Sequence, residues 1–314
     1  PDPTYYNKYY FRGRNLINLS LDHHIQLYNV NVFGELAWSN NGALALIQGI
    51  NMSLGETIQL ALSYRNYGRK FQTLYGNPIS NNSQSGNEQG LLWNLALNPL
   101  PGMKLSFYTD LWAHKSPVYQ IRGPSGGFQQ QLRLEYQKRK QYLIYLLLDI
   151  RGKNGAEIQP EEGIPLSLRQ KELKLRLHLE YRVNPSLTYR CRLNIGTLKN
   201  SGLNKVISGA SLQQDLIYQP NAGKIHFSAR VAIINTEDYD IRFYNFENGL
   251  LNQFSIVPYY GKGLKSYLNI RYRGIPATTL EAGINHQSRP GGNTDVGFSG
   301  TRISFQIRPK LNRS

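Results

Sequence analysis

The sequence predicts an all-β fold: a transmembrane antiparallel β-barrel of about 14–16 strands, with short periplasmic turns and longer extracellular loops. Three observations carry that expectation. Apolar and polar residues alternate with a period of two, the alternating segments are mostly about ten to fourteen residues long, and the connectors between them alternate between short and long. The composition fits. Of 314 residues 40% are hydrophobic and 11% aromatic, with 22 Tyr, and the formal charge is +16. Such an aromatic content argues against a disordered basic chain. The most apolar run, 143–148, is far shorter than the about 18 residues of a membrane-spanning helix. The lone Cys191 excludes an internal disulfide and a thiolate metal cluster.

In chain order, the first predicted strands cover 11–22, 26–38, 43–53, 57–67 and 89–98. In 103–113, Met103, Leu105, Phe107, Thr109 and Leu111 share one face, and Lys104, Ser106, Tyr108 and Asp110 the other. Strands at 127–138 and 141–151 flank the basic turn 138–140. In 170–183, Leu173, Leu175, Leu177, Leu179 and Tyr181 alternate with Lys174, Arg176, His178 and Glu180. In 186–198, Tyr189, Cys191, Leu193 and Ile195 alternate with Arg190, Arg192 and Asn194. A strand at 207–219 precedes 223–235, where Ile225, Phe227, Ala229, Val231 and Ile233 alternate with His226, Ser228 and Arg230. Strands at 264–273, 277–287 and 299–309 complete the set. A helix needs apolar residues three and four apart, and no segment shows that spacing convincingly.

Short connectors fall at 53–56, 98–102, 138–140, 183–186, 219–223 and 274–276. Long ones fall at 69–88, 114–126, 152–169, 199–206, 236–263 and 288–298, and 39–42 is a short one in a long slot. About fifteen strands is an odd number, whereas a closed single-chain bacterial barrel normally has an even one. The count therefore predicts either a further paired segment within 236–263 or a strand ahead of Pro1. The whole of 1–314 reads as one outer-membrane barrel domain, lacking an N-terminal portion in the second case. Trp38, Tyr64, Tyr67, Trp112, Tyr136, Tyr181, Tyr218 and Tyr272 stand near strand ends and suit an interfacial aromatic girdle.

In such a barrel the polar face lines the lumen. The lumen-lining candidates are Lys104, Asp110, Arg133, Glu135, Lys174, Arg176, His178, Glu180, Arg190, Arg192, Arg230 and Arg271, mixed in sign with a basic excess. Among the connectors, 77–88 reads as polar filler. The stretch 236–263 differs, because it is rich in aromatics. Phe243, Tyr244, Phe246, Leu250, Leu251, Phe254, Tyr259 and Tyr260 are its candidates for packing into the lumen, covering the mouth or meeting a partner protein.

The segment 242–263, with the following 264–273, resembles the C-terminal barrel region of outer-membrane proteins from Bacteroidota. The likeness is to poorly characterised members whose longer chains are associated with helix-hairpin-helix segments. It implies an outer-membrane barrel and no settled activity. No helix-hairpin-helix segment occurs here, so no nucleic-acid role carries over. The chain also ends at Pro309–Ser314 rather than on a terminal aromatic, with Phe305 inside the last predicted strand.

Motifs for chemistry are sparse. His23 and His24 are adjacent, and consecutive strand residues face opposite ways, so no metal site is expected. Asp110 with His178, or Asp149 with His114, are the components a hydrolase would have to assemble from separate strands. No enzyme activity, catalytic residue or cofactor is predicted. The basic turn 137–141 and the +16 charge suit solvent or anionic headgroups, with no basic-aromatic face for nucleic acid. The expected function is porin-like passage of polar or anionic solutes through the outer membrane. The alternative is a non-conducting scaffold that holds a surface lipoprotein or another envelope protein. Outer-membrane lipids are the expected surroundings in either case.

Overall fold

The computed structural model describes residues 3–82, 85–158, 166–201, 205–250, 254–276, 278–289 and 298–309. The chain opens with β1 (Asn18–Leu27), β2 (Val30–Ser39), β3 (Leu44–Leu54), β4 (Ile58–Tyr67), β5 (Glu88–Leu97) and β6 (Met103–His114). It continues with β7 (Ser125–Lys138), β8 (Tyr142–Ile158), β9 (Leu166–Asn184), β10 (Leu187–Asn200), β11 (Lys205–Tyr218) and β12 (Ile225–Thr236). A short 3-10 turn, Tyr239–Ile241, leads into β13 (Phe243–Asn248) and β14 (Phe254–Tyr259), then β15 (Lys262–Tyr272), β16 (Thr278–Arg289) and β17 (Phe298–Pro309). One 15-stranded sheet runs in sequence order from β1 to β12 and on through β15, β16 and β17. The β13–β14 pair is a separate hairpin inserted between sheet neighbours β12 and β15.

The meander separates two kinds of connection. Tight turns at 28–29, 55–57, 98–102, 139–141, 185–186, 219–224 and 273–277 alternate with connections at 40–43, 68–87, 115–124 and 237–261. The tight side demands left-handed backbone in places, supplied by Gly55 at φ 64° and Gly102 at φ 80°.

The first strand differs from its expected bounds. The sequence reading placed strands at 11–22 and 26–38, whereas β1 and β2 meet at 28–29, with Tyr28 at φ 51°. The reason is that alternation persists beyond 22: Leu19, Leu21, Ile25 and Leu27 occupy one face and Ser20, Asp22, His24 and Gln26 the other. Residues 5–10 form turns, tied to the 68–87 connection by Gln72 Nε2, which donates to Tyr9 O.

Contacts divide the chain into two compact units. The first comprises Pro1–Leu134, Leu148–Leu173 and Lys199–Lys205, and the second Glu135–Leu147, Lys174–Leu198 and Val206–Ser314. Within each, the burial pattern is the reverse of a soluble protein's. In the second unit Asp215 and Arg230 are 6% exposed, while Val231 is 51% and Ile233 57% exposed. In the first unit Arg65, Glu88 and Asp110 are buried, while Leu36, Ile50, Leu62 and Leu111 are exposed. Water would make that arrangement unstable, because charges are desolvated and apolar area is left wet. Surrounded by lipid, the same arrangement is the favourable one.

The girdle expectation needs correction at particular residues. Tyr67 and Trp112 are buried on the polar faces of β4 and β6, because they share the parity of Arg65 and Asp110. Trp38, Tyr136, Tyr181 and Tyr272 are exposed.

The inverted burial sets a clear expectation for Val231→Arg, at the middle of β12 on its apolar face. In lipid bilayers this substitution should destabilise the fold by about 2–4 kcal/mol, the cost of a cation near the bilayer midplane. Denaturant unfolding from liposomes measures it, and a neutral result would contradict lipid contact at that face.

Candidate functional site

In the first unit, the polar faces of β4, β5 and β6 converge on Arg65. Its Nε donates to Glu88 Oε1 at 2.6 Å and its Nη1 to Asp110 Oδ1 at 2.8 Å, with all three side chains nearly inaccessible. Antiparallel register explains the meeting. Arg65 stands directly across from Gly90, which stands across from Trp112, so Glu88 and Asp110 lie one inward position to either side. Gly90 leaves room for the guanidinium: a Cβ there would fall 2.4 Å from Arg65 Cζ, so the ion-paired head would have to shift.

The remaining carboxylate oxygens are held by the long β4–β5 connection. Glu88 Oε2 accepts from Ser80 Oγ and Asn81 N at 2.8 Å and from Asn82 N at 3.1 Å. Asn81 Nδ2 donates to Asp110 Oδ2 at 2.6 Å. The stretch 77–88 was expected to be polar filler, and its described residues instead clasp the inner charges. His114 places Nε2 3.3 Å from Glu88 Oε2 and Nδ1 3.2 Å from Ser125 Oγ.

The suggested hydrolase pairs have other partners. Asp110 serves Arg65 and Asn81, His178 accepts from Arg192 Nε at 3.4 Å, and Asp149 accepts from Gln129 and Gln131. Cross-strand register, invisible in the sequence, decides these partners.

In the second unit, the aromatic stretch forms the β13–β14 hairpin, which lies on the polar face of β9–β12 and β15. Its backbone accepts from that face: Lys174 Nζ donates to Arg242 O at 3.0 Å and Arg230 Nη1 to Phe246 O at 2.7 Å. Asn269 Nδ2 donates to Asn248 O. Side chains add to the docking. Gln213 Nε2 donates to Asn245 Oδ1 at 2.6 Å, and Lys265 Nζ sits 2.7 Å from Glu247 Oε1.

Apolar contact completes it. Phe243 and Tyr259 pack with Ala232 and Ile234, and Ile241 packs with Leu198 and Ile207. The sequence held a signal for this. The run Val231-Ala232-Ile233-Ile234 is apolar on both faces, so the inner face there requires a cover.

Of the loop candidates, Phe243, Leu250 and Tyr259 are buried, whereas Tyr244 and Phe246 face outward from the hairpin and are exposed. Tyr260 packs edge-on to Tyr239 at 4.7 Å. Leu251 and the Phe254 side chain lie outside the described residues.

The lining candidates fall into distinct environments. Arg190 pairs with Glu180 at 2.8 Å, Arg230 with Asp215 at 2.5 Å, and Arg271 with Glu281, which also receives Arg308. Arg176 and Arg192 meet neutral groups: Arg176 Nε donates to Asn194 Oδ1 at 2.7 Å, and Arg192 reaches His178 Nδ1 and Asn245 Oδ1, each at 3.4 Å. Arg133 and Glu135 are half-buried, and Lys104 is exposed at its strand's tight-turn end. Arg65, Glu88, Asp215, Asn245 and Glu247 were missed by sequence reasoning. Parity alone would have put Arg65 and Asp215 on polar faces, but only register gives them partners.

A strand meander with exposed apolar faces and ion-paired inner faces decides the fold class. The fold is that of a transmembrane antiparallel β-barrel. No family model and no curated protein matches it. Among solved structures it is similar to the FrpB iron transporter from Neisseria meningitidis, at 11% identity and TM-score 0.49 over 93% of this chain and 57% of that one. It is also similar to the outer-membrane expressed OmpT of Vibrio cholerae, at 10% identity and TM-score 0.46 over 93% and 88%. CdiB from Acinetobacter baumannii is similar at 12% identity and TM-score 0.40 over 95% and 54%.

The charge clusters yield two expectations. Arg65→Leu should cost about 3–5 kcal/mol in denaturant unfolding, because it strands two buried carboxylates. Adding Glu88→Gln and Asp110→Asn should recover much of that loss; no recovery would show that packing, not charge, is what Arg65 supplies.

The second concerns pH. Burial pushes the Tyr259 phenol up from its ordinary 10.0, with Arg230 opposing and Glu247 reinforcing the rise. Its hydroxyl donates to Glu247 Oε1 at 2.9 Å. A released hairpin ionises first, so docking is fully stable below about pH 10 and weakens as pH rises above it. A fluorophore on Tyr244→Cys in a Cys191→Ser background should gain mobility there, and Tyr259→Phe should abolish the response. An unchanged response in Tyr259→Phe would assign it to another group.

Proposed function

We propose that this outer-membrane barrel passes polar, preferentially anionic solutes along its inner face, with the β13–β14 hairpin narrowing the path in the second unit. The observation that carries the reading is the contrast among inner cations. Arg190, Arg230 and Arg271 are neutralised by carboxylates, whereas Arg176 and Arg192 stand together beside the hairpin with neutral hydrogen-bond partners. Guanidinium charge with no carboxylate as hydrogen-bond partner, placed beside the hairpin, favours anions and opposes cations. Kinship with Bacteroidota outer-membrane barrels, supported by the 242–273 resemblance, belongs to the same proposal.

A scaffold role has one observation in its favour. The outward side of the hairpin exposes Tyr244, Phe246 and Ile256, an apolar strip suited to a lipoprotein or other envelope partner. Neither reading requires catalytic chemistry.

Planar-bilayer recording separates them. The wild type should show stepwise, anion-selective conductance, and Arg176→Gln with Arg192→Gln should move the reversal potential across a KCl gradient toward cations. Removing 243–259 should raise unit conductance. Silence from both wild type and hairpin-deleted protein would defeat conduction and leave the scaffold reading.

A further inference from the structure

The first unit holds a cleft on its long-loop side that solute passage does not account for. Its volume is about 460 Å³, within the range of small-molecule sites, about 300–1,000 Å³. Three separate segments build it: the N-terminal turns, connection 68–87 and connection 115–124. They are fastened to one another. Gln72 Nε2 donates to Tyr9 O at 2.7 Å, joining the first segment to the second. Asn87 Nδ2 donates to Ser116 O and Asn87 Oδ1 accepts from Ser116 N, both at 2.9 Å, joining the second to the third. Such fastening preorganises a site and lowers the ordering cost of binding.

The lining is aromatic and cationic. Tyr6, Tyr10 and Phe71 supply ring surface, while Lys8, Arg69 and Lys115 supply positive charge. Among the described residues the lining contains no Asp or Glu. Tyr6 meets Tyr5, Tyr10 and Tyr119 edge-on, with interplanar angles of 74°, 81° and 81°. Around Tyr6 the rings stand at steep angles, so this corner of the cleft offers no parallel slot for a flat nucleobase. They suit a puckered ring, whose C–H faces lie on aromatic surface while its hydroxyls reach polar groups such as Thr73 and Asn82. The cations then call for an acidic group on that ring.

We propose that this cleft binds an anionic sugar, a short oligosaccharide carrying carboxylate groups, on the outer surface of the membrane. The cleft stands on residues of the first unit alone, so the proposal is independent of conduction.

Calorimetric titration of the full chain in detergent tests it, with digalacturonic acid as probe and cellobiose as its neutral counterpart. Digalacturonic acid should bind saturably and at least about tenfold more tightly than cellobiose. Arg69→Gln with Lys115→Gln should bring its affinity down to the cellobiose level, and Phe71→Ala should weaken both ligands. Arg69 and Lys115 are exposed, so the strand signature in circular dichroism should survive their replacement. No saturable heat with digalacturonic acid, or unchanged affinity in the charge variant, overturns the proposal. Tighter binding of tetrathymidylate than of digalacturonic acid overturns it in favour of a nucleic-acid site. Binding is read without current, so a silent bilayer leaves this result standing, and absent binding leaves conduction untouched.

Discussion

A strand crossing hydrocarbon has no water to satisfy its amides, so both of its edges must bond to neighbours and its polar side chains must turn away from lipid. In the 15-stranded sheet each strand between β1 and β17 bonds to a neighbour on either side, which answers the first demand along its length, and the inverted burial answers the second. The remaining architecture follows from the second. Once Arg, Lys, Asp and Glu are gathered on one face and partly removed from water, each must find a partner or carry a heavy desolvation cost. Antiparallel register supplies most of those partners from nearby strands: Arg65 meets Glu88 on the adjacent β5 and Asp110 one strand further on β6, and Arg230 meets Asp215 on the adjacent β11.

Lone pairs and protons that register leaves over are taken up by the connections. In the first unit, Ser80, Asn81 and Asn82 bring hydroxyl and amide groups to Glu88 and Asp110. In the second, the β13–β14 hairpin offers its carbonyls to Lys174 and Arg230 and its Glu247 to Lys265. The same solution is reached twice with different sequence: a polar loop in one unit and an aromatic hairpin in the other. The hairpin buries Phe243 and Tyr259 because part of its floor is apolar, formed by Ala232 and Ile234, while Leu198 and Ile207 receive Ile241 of the preceding turn. Where charges are satisfied in this way they brace the fold. Arg176 and Arg192 have neutral hydrogen-bond partners instead.

The connections also decide what the outer side presents. The loops that clasp the inner charges join the N-terminal turns to build a cleft of rings and cations. Stability and recognition thus draw on the same segments: 68–87 contributes Asn81 to the inner cluster and Phe71 to the cleft.

By itself the sequence determined the period of two, the spans of most strands, the alternation of short and long connections and therefore the barrel class. These are local properties, since side-chain parity and turn chemistry are written residue by residue. Even the inward placement of Arg230 and Asp110 follows from parity. It failed for β1, expected at 11–22 and found at Asn18–Leu27, and for 77–88, whose Ser and Asn residues look the same as filler or as ligands. Only the tertiary structure decided partners: Glu88 and Asp110 for Arg65, His178 and Asn245 for Arg192, and the polar face beneath the hairpin. The physical reason is that partnership depends on register and on where a long loop returns. Both are set by summed contacts across strands far apart in the chain, which no local pattern records.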